Sequence, residues 1–386
     1  MSSSANWAPT GPGERYPQID VLRGLALFGV LIVNIETLFR VPLLEHILRH
    51  ETGASQADRI VALLIAGALE FKAVTIFSFL FGVSIAIQAE RSASRNVGTR
   101  SFLVRRMGWL FSMGTVHLFL VWNGDILALY AICGILLLPA LKLPWPTLAL
   151  IGSAAIVLPE AVSFGLPFPS DKEATVLIGQ AREVYANGGF LSIMRFRWHE
   201  SWALIVPLLC AILPRTVGLM YLGMAAWRSG ILREPEKHRG KLWMSLASGI
   251  VLGAAIKALP QVLPGLSFSA PILVALAYTS AVLLWLKPSR ALSLPGFRSA
   301  GQMALTNYLA QSIILTFIFY GYGFGLFGRI GSASAACIGL VLYTLQIQCS
   351  VLWLARYRFG PFEWLWRSVA YWRRQPIRRA PPSSPE

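Results

Sequence analysis

The chain has 386 residues, of which 55% are hydrophobic and only 13% are Asp, Glu, Lys or Arg, against roughly half apolar and a quarter charged in a soluble domain. That balance excludes a water-soluble enzyme, and apolar runs recurring from Val21 to Leu354 leave one membrane domain rather than two or three soluble ones. The formal net charge of +16 sits in the gaps between the runs, which points to orientation in a membrane and not to a nucleic-acid partner.

A hydrocarbon core about 30 Å thick takes roughly 20 apolar residues as helix. The expected fold is therefore all-α, a polytopic transmembrane bundle of about ten spans with both termini cytoplasmic. Residues 1–18 form a flexible cytoplasmic N-terminus without the basic-then-apolar pattern of a cleaved signal. The helical domain covers 19–355, with parts at about 19–163 and 200–355. A basic, aromatic tail, 356–386, suits an interfacial helix that meets anionic lipid.

The first span, 21–39, begins with Asp20 and Arg23 one turn apart at its cytoplasmic mouth, and Asn34 follows about three turns later on roughly the same face. Asn34 and Glu36 in an apolar helix need partners in the bundle or a wet cavity. In "EHILRHE", His46 and His50 stand four apart and share a helix face, but two ligands without a third make no metal site, so no metal is expected. The stretch 59–71 reads as an amphipathic helix feeding the span 73–89, with Lys72 snorkelling at its mouth. His117 lies just inside the outer end of the span 102–121. The tight connection Trp122, Asn123, Gly124, Asp125 then returns the chain, and Asp125 is placed to cap the span 126–141.

Further spans fall at 145–163, 200–227, 242–258, 269–286, 302–320 and 333–354. Pro207, Pro214 and Arg215 make 200–227 either one kinked span or a broken pair. In "GQMALTNYLAQS", Asn307 and Gln311 form an i,i+4 pair that serves either helix packing or a ligand. Cys133, Cys210, Cys337 and Cys349 lie singly in apolar runs and read as small buried hydrophobes. With the N-terminus inside, 23 of the 34 Lys and Arg residues fall on the cytoplasmic side. Loop 90–101 and the tail then face the cytoplasm, while 40–58 and 164–199 face out.

The segments "IDVLRGLALFGVLIVNI", "IFSFLFGVSIAIQ", "HLFLVWNGDILALYAICGILLLP", "GQMALTNYLAQS", "FYGYGFGLFGRIG" and "FGPFEWLWRSVAYWRRQPIRR" together resemble the YeiB family of bacterial inner-membrane proteins, a domain of unknown function. The opening span is also similar to the transmembrane acyltransferase superfamily, which includes the heparan glucosaminide N-acetyltransferases. Arg23 and Asn34 match the "RG" and "VN" positions, and either His46 or His50 matches the histidine that follows that span.

The resemblance implies transfer of an acyl group from cytoplasmic acyl-CoA to an extracytoplasmic small-molecule or sugar acceptor. Arg105 and Arg106, or the basic 228–241 loop, are candidates to receive the phosphates, and Asn34 to polarise the acyl carbonyl. His117, His46 and His50 are candidate bases. Arg23, Glu36, Trp122, Asp125, Arg215, Asn307 and Gln311 complete the candidate binding set. The alternatives are a transporter, which calls for repeated halves or paired broken helices, and a non-enzymatic membrane protein. Membrane lipids are the remaining expected partner.

Overall fold

A computed structural model describes residues 16–48, 55–94, 98–162, 169–259 and 269–379. Residues 1–15, His50 and the end of the tail lie outside them. The named elements are all helical. In chain order the α-helices are α1 Pro17–Asn34, α2 Leu43–Leu48, α3 Gln56–Ala68, α4 Lys72–Ser94, α5 Thr99–Val116, α6 Leu127–Leu136, α7 Trp145–Val162, α8 Asp171–Asn187, α9 Phe190–Glu200, α10 Val206–Arg228, α11 Arg239–Ala258, α12 Ala270–Trp285, α13 Pro288–Leu292, α14 Pro295–Gln302, α15 Ala304–Phe319, α16 Ser332–Arg356 and α17 Pro361–Ala370.

All ten expected stretches are helical, but fewer have the full length of a crossing. Pro17–Phe39, Gln56–Ala93, Phe190–Arg228, Pro235–Ala258 and Ser332–Arg356 are long and apolar enough, and α14 with α15 makes a sixth only if a bend of 84° is allowed within one span. Leu127–Leu136, Trp145–Pro159 and Ala270–Trp285 are shorter apolar helices. The outside of the bundle is apolar: Leu63, Leu150 and Leu352 are 70–72% exposed, a surface that lipid tolerates and water does not. The chain is a multi-pass membrane protein. In such a setting an outward cysteine is no anomaly; Cys133 is buried, but Cys210, Cys337 and Cys349 are exposed, contrary to the expectation for all four.

Of the two alternatives for 200–227, one span and not a broken pair is found, since helix runs on from Phe190 to Arg228 through a π-turn at Ser201–Ile205. The stretch 164–199, expected as a loop, carries α8 and α9; a reciprocal Ser170–Glu173 capping box starts α8. Two more π-turns, Ile35–Phe39 and His117–Val121, extend α1 and α5.

Glycine sets the closest helix approaches. Where α4 crosses α10, a Cβ on Gly82 would overlap the Met220 carbonyl, and one on Gly223 would overlap that of Phe79. The crossing of α1 and α14 is built the same way, from Gly24 against the Phe297 carbonyl and Gly301 against the Asp20 carbonyl. Around these crossings α10 packs on α4, α6 and α7, and α1 on α4, α14, α15 and α16.

The bundle has two distinct ends. One, the basic end, gathers the start of α1, the end of α4, the start of α5, the end of α10 and α17: Trp227 and Arg233 both bond Glu90, and the Trp366 indole N–H donates to the Arg106 carbonyl at 2.8 Å. The distal end gathers α2, α8, α9 and the loop after α15. There Arg182 pairs with buried Glu45, the Gly321 N–H donates to the Tyr185 carbonyl, and Arg329 donates to Asn187.

Candidate functional site

A cavity of about 340 Å³ runs between α1, α4, α5, α6, α15 and α17. Its basic end is lined by Asp20, Arg23, Arg91, Arg106, Glu363 and Arg367, its waist by residues such as Leu27, Phe77, Leu80, Phe81 and Leu110, and its distal end by Asn34, Phe71, Gly124, Tyr130 and Tyr308. Arg23 and Asn34 both line it from α1, so it extends roughly 16 Å along that helix at 1.5 Å per residue.

At the basic end Arg23 is fixed by Asp20 at 2.8 Å and by Ser84 at 3.0 Å, and Asp20 also accepts from Gln302 at 3.0 Å. Arg106 lies 3.5 Å from the centre of the Trp366 ring. The carboxylate of Glu363 accepts the N–H groups of Leu305 and Thr306 and the Thr306 hydroxyl, and so caps α15 where the chain bends away from α14. Burial raises the Glu363 carboxyl above its ordinary value and lowers the Arg367 guanidinium, to which Arg23 and Arg91 add repulsion. The tail helix is thus a wall of the cavity, packed against α5 and α15.

At the distal end His117 and Asp125 form a buried pair, Nδ1 to Oδ1 at 2.9 Å, and are 2% and 1% exposed. The other Asp125 oxygen accepts the Ala128 N–H at 2.9 Å, so this residue caps α6 as expected and also orients the imidazole. His117 Nε2 has no hydrogen-bond partner among the described residues. Its ring rests on Tyr308, centroids 5.4 Å apart, and Tyr308 donates to the Gly124 carbonyl at 3.3 Å. Tyr308 and Gly124 line the cavity and His117 does not, so the imidazole stands one side chain behind the wall in which Asn34 lies.

The other candidates are placed elsewhere. Half-buried His46 meets Glu70 at 3.1 Å, neither of them among the lining residues although Leu69 and Phe71 are, and His50 is outside the described residues. Glu36 is held by Arg40 and Ser332 in a buried group that ties α1 to α16. Asn307 donates to Ser350, Gln311 to Gln346 and Gln346 to the Asn307 carbonyl, a ladder of hydrogen bonds between α15 and α16. Arg215 reaches Thr75 at 3.3 Å and lies 5.7 Å from the Phe71 ring. Trp122 is fully buried, stacked on Phe39 at 4.4 Å.

Sequence reasoning missed a second buried group beside this one. Glu200 accepts from Asn123 and from Tyr185, each at 2.6 Å; Tyr185 stacks on Tyr320, and Arg197, 1% exposed, lies 5.7 Å from the Tyr320 ring. The signal was present in "MRFRWHESWALIVP", where Arg197 and Glu200 are one turn apart entering an apolar run.

A multi-pass helical bundle with a polar-ended cavity beside a buried His–Asp pair defines a class of membrane protein, and comparison narrows it. Residues 15–175 match the family "Heparan-alpha-glucosaminide N-acetyltransferase, catalytic", and residues 226–373 match "Protein of unknown function (DUF418)". The chain is 35% identical to the uncharacterized protein YxaH of Bacillus subtilis (strain 168), over 96% of its own length and 97% of the relative's. It is 27% identical to the uncharacterized protein YeiB of Escherichia coli (strain K12), over 92% and 96% respectively. The chain belongs to this YeiB and YxaH family, related to acyltransferase-like domains. No solved structure matches it.

Proposed function

We propose that this protein transfers an acyl group from cytoplasmic acyl-CoA to an extracytoplasmic small-molecule or sugar acceptor in the bacterial inner membrane. The observation that carries this reading is the cavity itself, which joins a cluster of arginines at one end to Asn34 at the other, with the His117–Asp125 pair behind Tyr308 in that wall. The likeness of residues 15–175 to an acetyltransferase catalytic family supports it, since α1, α4, α5 and α6 build most of the cavity. In this reading the bundle makes ten crossings with both termini cytoplasmic, and the basic end faces the cytoplasm.

The donor's thioester carbonyl comes to the Asn34 end, where the amide N–H donates to the carbonyl oxygen as negative charge builds there. The acceptor hydroxyl or amine attacks the carbonyl carbon as His117 Nε2 takes its proton, and Asp125 holds the imidazolium that forms. The carbon–sulfur bond breaks, the thiolate takes up a proton, and free coenzyme A leaves by the basic end. Tyr308 must turn aside for the acceptor to reach His117. The test uses proteoliposomes with labelled acetyl-CoA supplied on the side of loop 90–101 and a mixed hexose and hexosamine acceptor pool on the other. Labelled acceptor forms with the wild type and not with His117→Ala inserted at the same level; equal transfer by both sinks the assignment.

A transporter is the second reading, favoured by one feature: α14 and α15 are a broken helix whose junction, Gly301, Gln302 and Ala304, lines the cavity. It requires net flux of an unmodified solute, which the same vesicles measure.

A further inference from the structure

Among the described residues, the six charged ones that line the cavity stand at its basic end, and both carboxylates among them are already engaged, Asp20 by Arg23 and Gln302, Glu363 by the first turn of α15. Among the described lining residues, four guanidiniums stand with two carboxylates at the head of an apolar chamber. Arg106 is the least satisfied of them. It is 8% exposed, lies 3.5 Å from the centre of the Trp366 ring, and its Nε has no hydrogen-bond partner among the described residues. Buried guanidinium groups ordinarily pair with an anion, and their planar fork matches phosphate oxygens in particular.

We propose that Arg106, Arg367 and Arg23 form a receptor for the phosphate of an acyl-bearing amphiphile, and that α17 completes this receptor instead of serving as a lipid anchor. The buried guanidinium cluster matches the oxygens of a phosphate, and the apolar waist matches the acyl chain or arm that trails from it. Arg367 and Trp366 belong to the part of the chain outside the acetyltransferase-like match and inside the DUF418 match, so donor recognition is shared between the two halves. The proposal rests on the transfer reading for the role of the bound molecule as donor. Two sources share the chemistry, a nucleotide thioester and a membrane phospholipid.

The experiment is equilibrium binding to the full-length protein in nanodiscs, read by tryptophan fluorescence and by melting temperature. One arm adds coenzyme A, without any acyl group, to phosphatidylcholine nanodiscs; the other compares phosphatidylcholine nanodiscs with ones containing phosphatidic acid. Wild-type binding weakened roughly 10- to 100-fold by Arg367→Ala, as expected for losing one charge-assisted contact, and unchanged by Arg374→Ala on the exposed face of the tail, supports the receptor. Response to coenzyme A assigns the nucleotide source, and response to phosphatidic acid alone assigns the lipid. Arg106→Gln gives the same loss if it folds; if it does not, Arg367→Ala decides. No binding in either arm, or binding indifferent to Arg367→Ala in a protein with wild-type melting, overturns the proposal. Because no turnover is needed, a protein that binds but transfers nothing sinks only the transfer reading.

Discussion

Asp125 illustrates how a residue acquires two duties. One carboxylate oxygen caps α6 through the Ala128 N–H, and the other fixes His117 Nδ1, leaving Nε2 as the free position. Asp125→Asn preserves one acceptor oxygen but offers an N–H where an acceptor is needed, so the imidazole loses its orientation. Transfer is expected to fall by at least tenfold, while the loss of capping costs only about 1 kcal/mol. A transfer assay beside a melting curve separates the two: a variant that loses stability in proportion to activity would make the pair structural. The ladder of Asn307, Gln346 and Gln311 predicts the reverse pattern. Gln346→Leu is expected to lower stability by about 1 kcal/mol and leave transfer per folded molecule unchanged. Sequence alone left this amide pair open, because an i,i+4 spacing shows that two side chains share a face but not what that face meets.

At the scale of elements, the joint between α15 and α17 is the least ordinary. Glu363 caps α15 across the cavity mouth, and burial raises its carboxyl above the ordinary value. A carboxyl raised in the folded state takes up a proton on folding, so its contribution to stability is full below the ordinary carboxylate range and is lost as pH rises through the raised value. Docking of α17 is therefore expected to loosen as pH rises above the ordinary carboxylate range, seen as faster amide exchange in Pro361–Ala370, and Glu363→Gln should flatten that dependence. An unchanged slope in the variant would assign the effect to another group. The crossing of α1 and α14 gives a second expectation: Gly301→Ala places a methyl on the Asp20 carbonyl, and the helices must part at a cost of about 1–3 kcal/mol. Gly24, on the other side of that contact, explains the glycine of the "LRG" segment, since Tyr343 also reaches its carbonyl at 2.6 Å.

For the whole molecule, the prediction concerns the side of the membrane that each end faces. Reporter fusions in loop 90–101 and after the tail are expected to read cytoplasmic, and those in 40–58 and 164–199 extracytoplasmic; a tail reading outside would invert the donor side and with it the proposed direction of transfer. Hydropathy and charge spacing were enough to establish an all-helical membrane protein and to locate its apolar helical stretches, though not α8 and α9, because insertion in lipid depends on local composition that any window of residues reveals. The pairing of His117 with a neighbouring turn was also within reach, the two residues being eight apart. What composition could not supply was the length of each helix after π-turns, prolines and the Gln302–Ala304 bend had intervened. Nor could it show that Arg23, Arg91, Arg106 and Arg367, spread across the chain, surround one opening. Those facts depend on which glycine lets which helix approach and on where a distant tail helix docks. Tertiary packing decided them, because contacts between residues hundreds of positions apart leave no periodic mark in either partner's own segment.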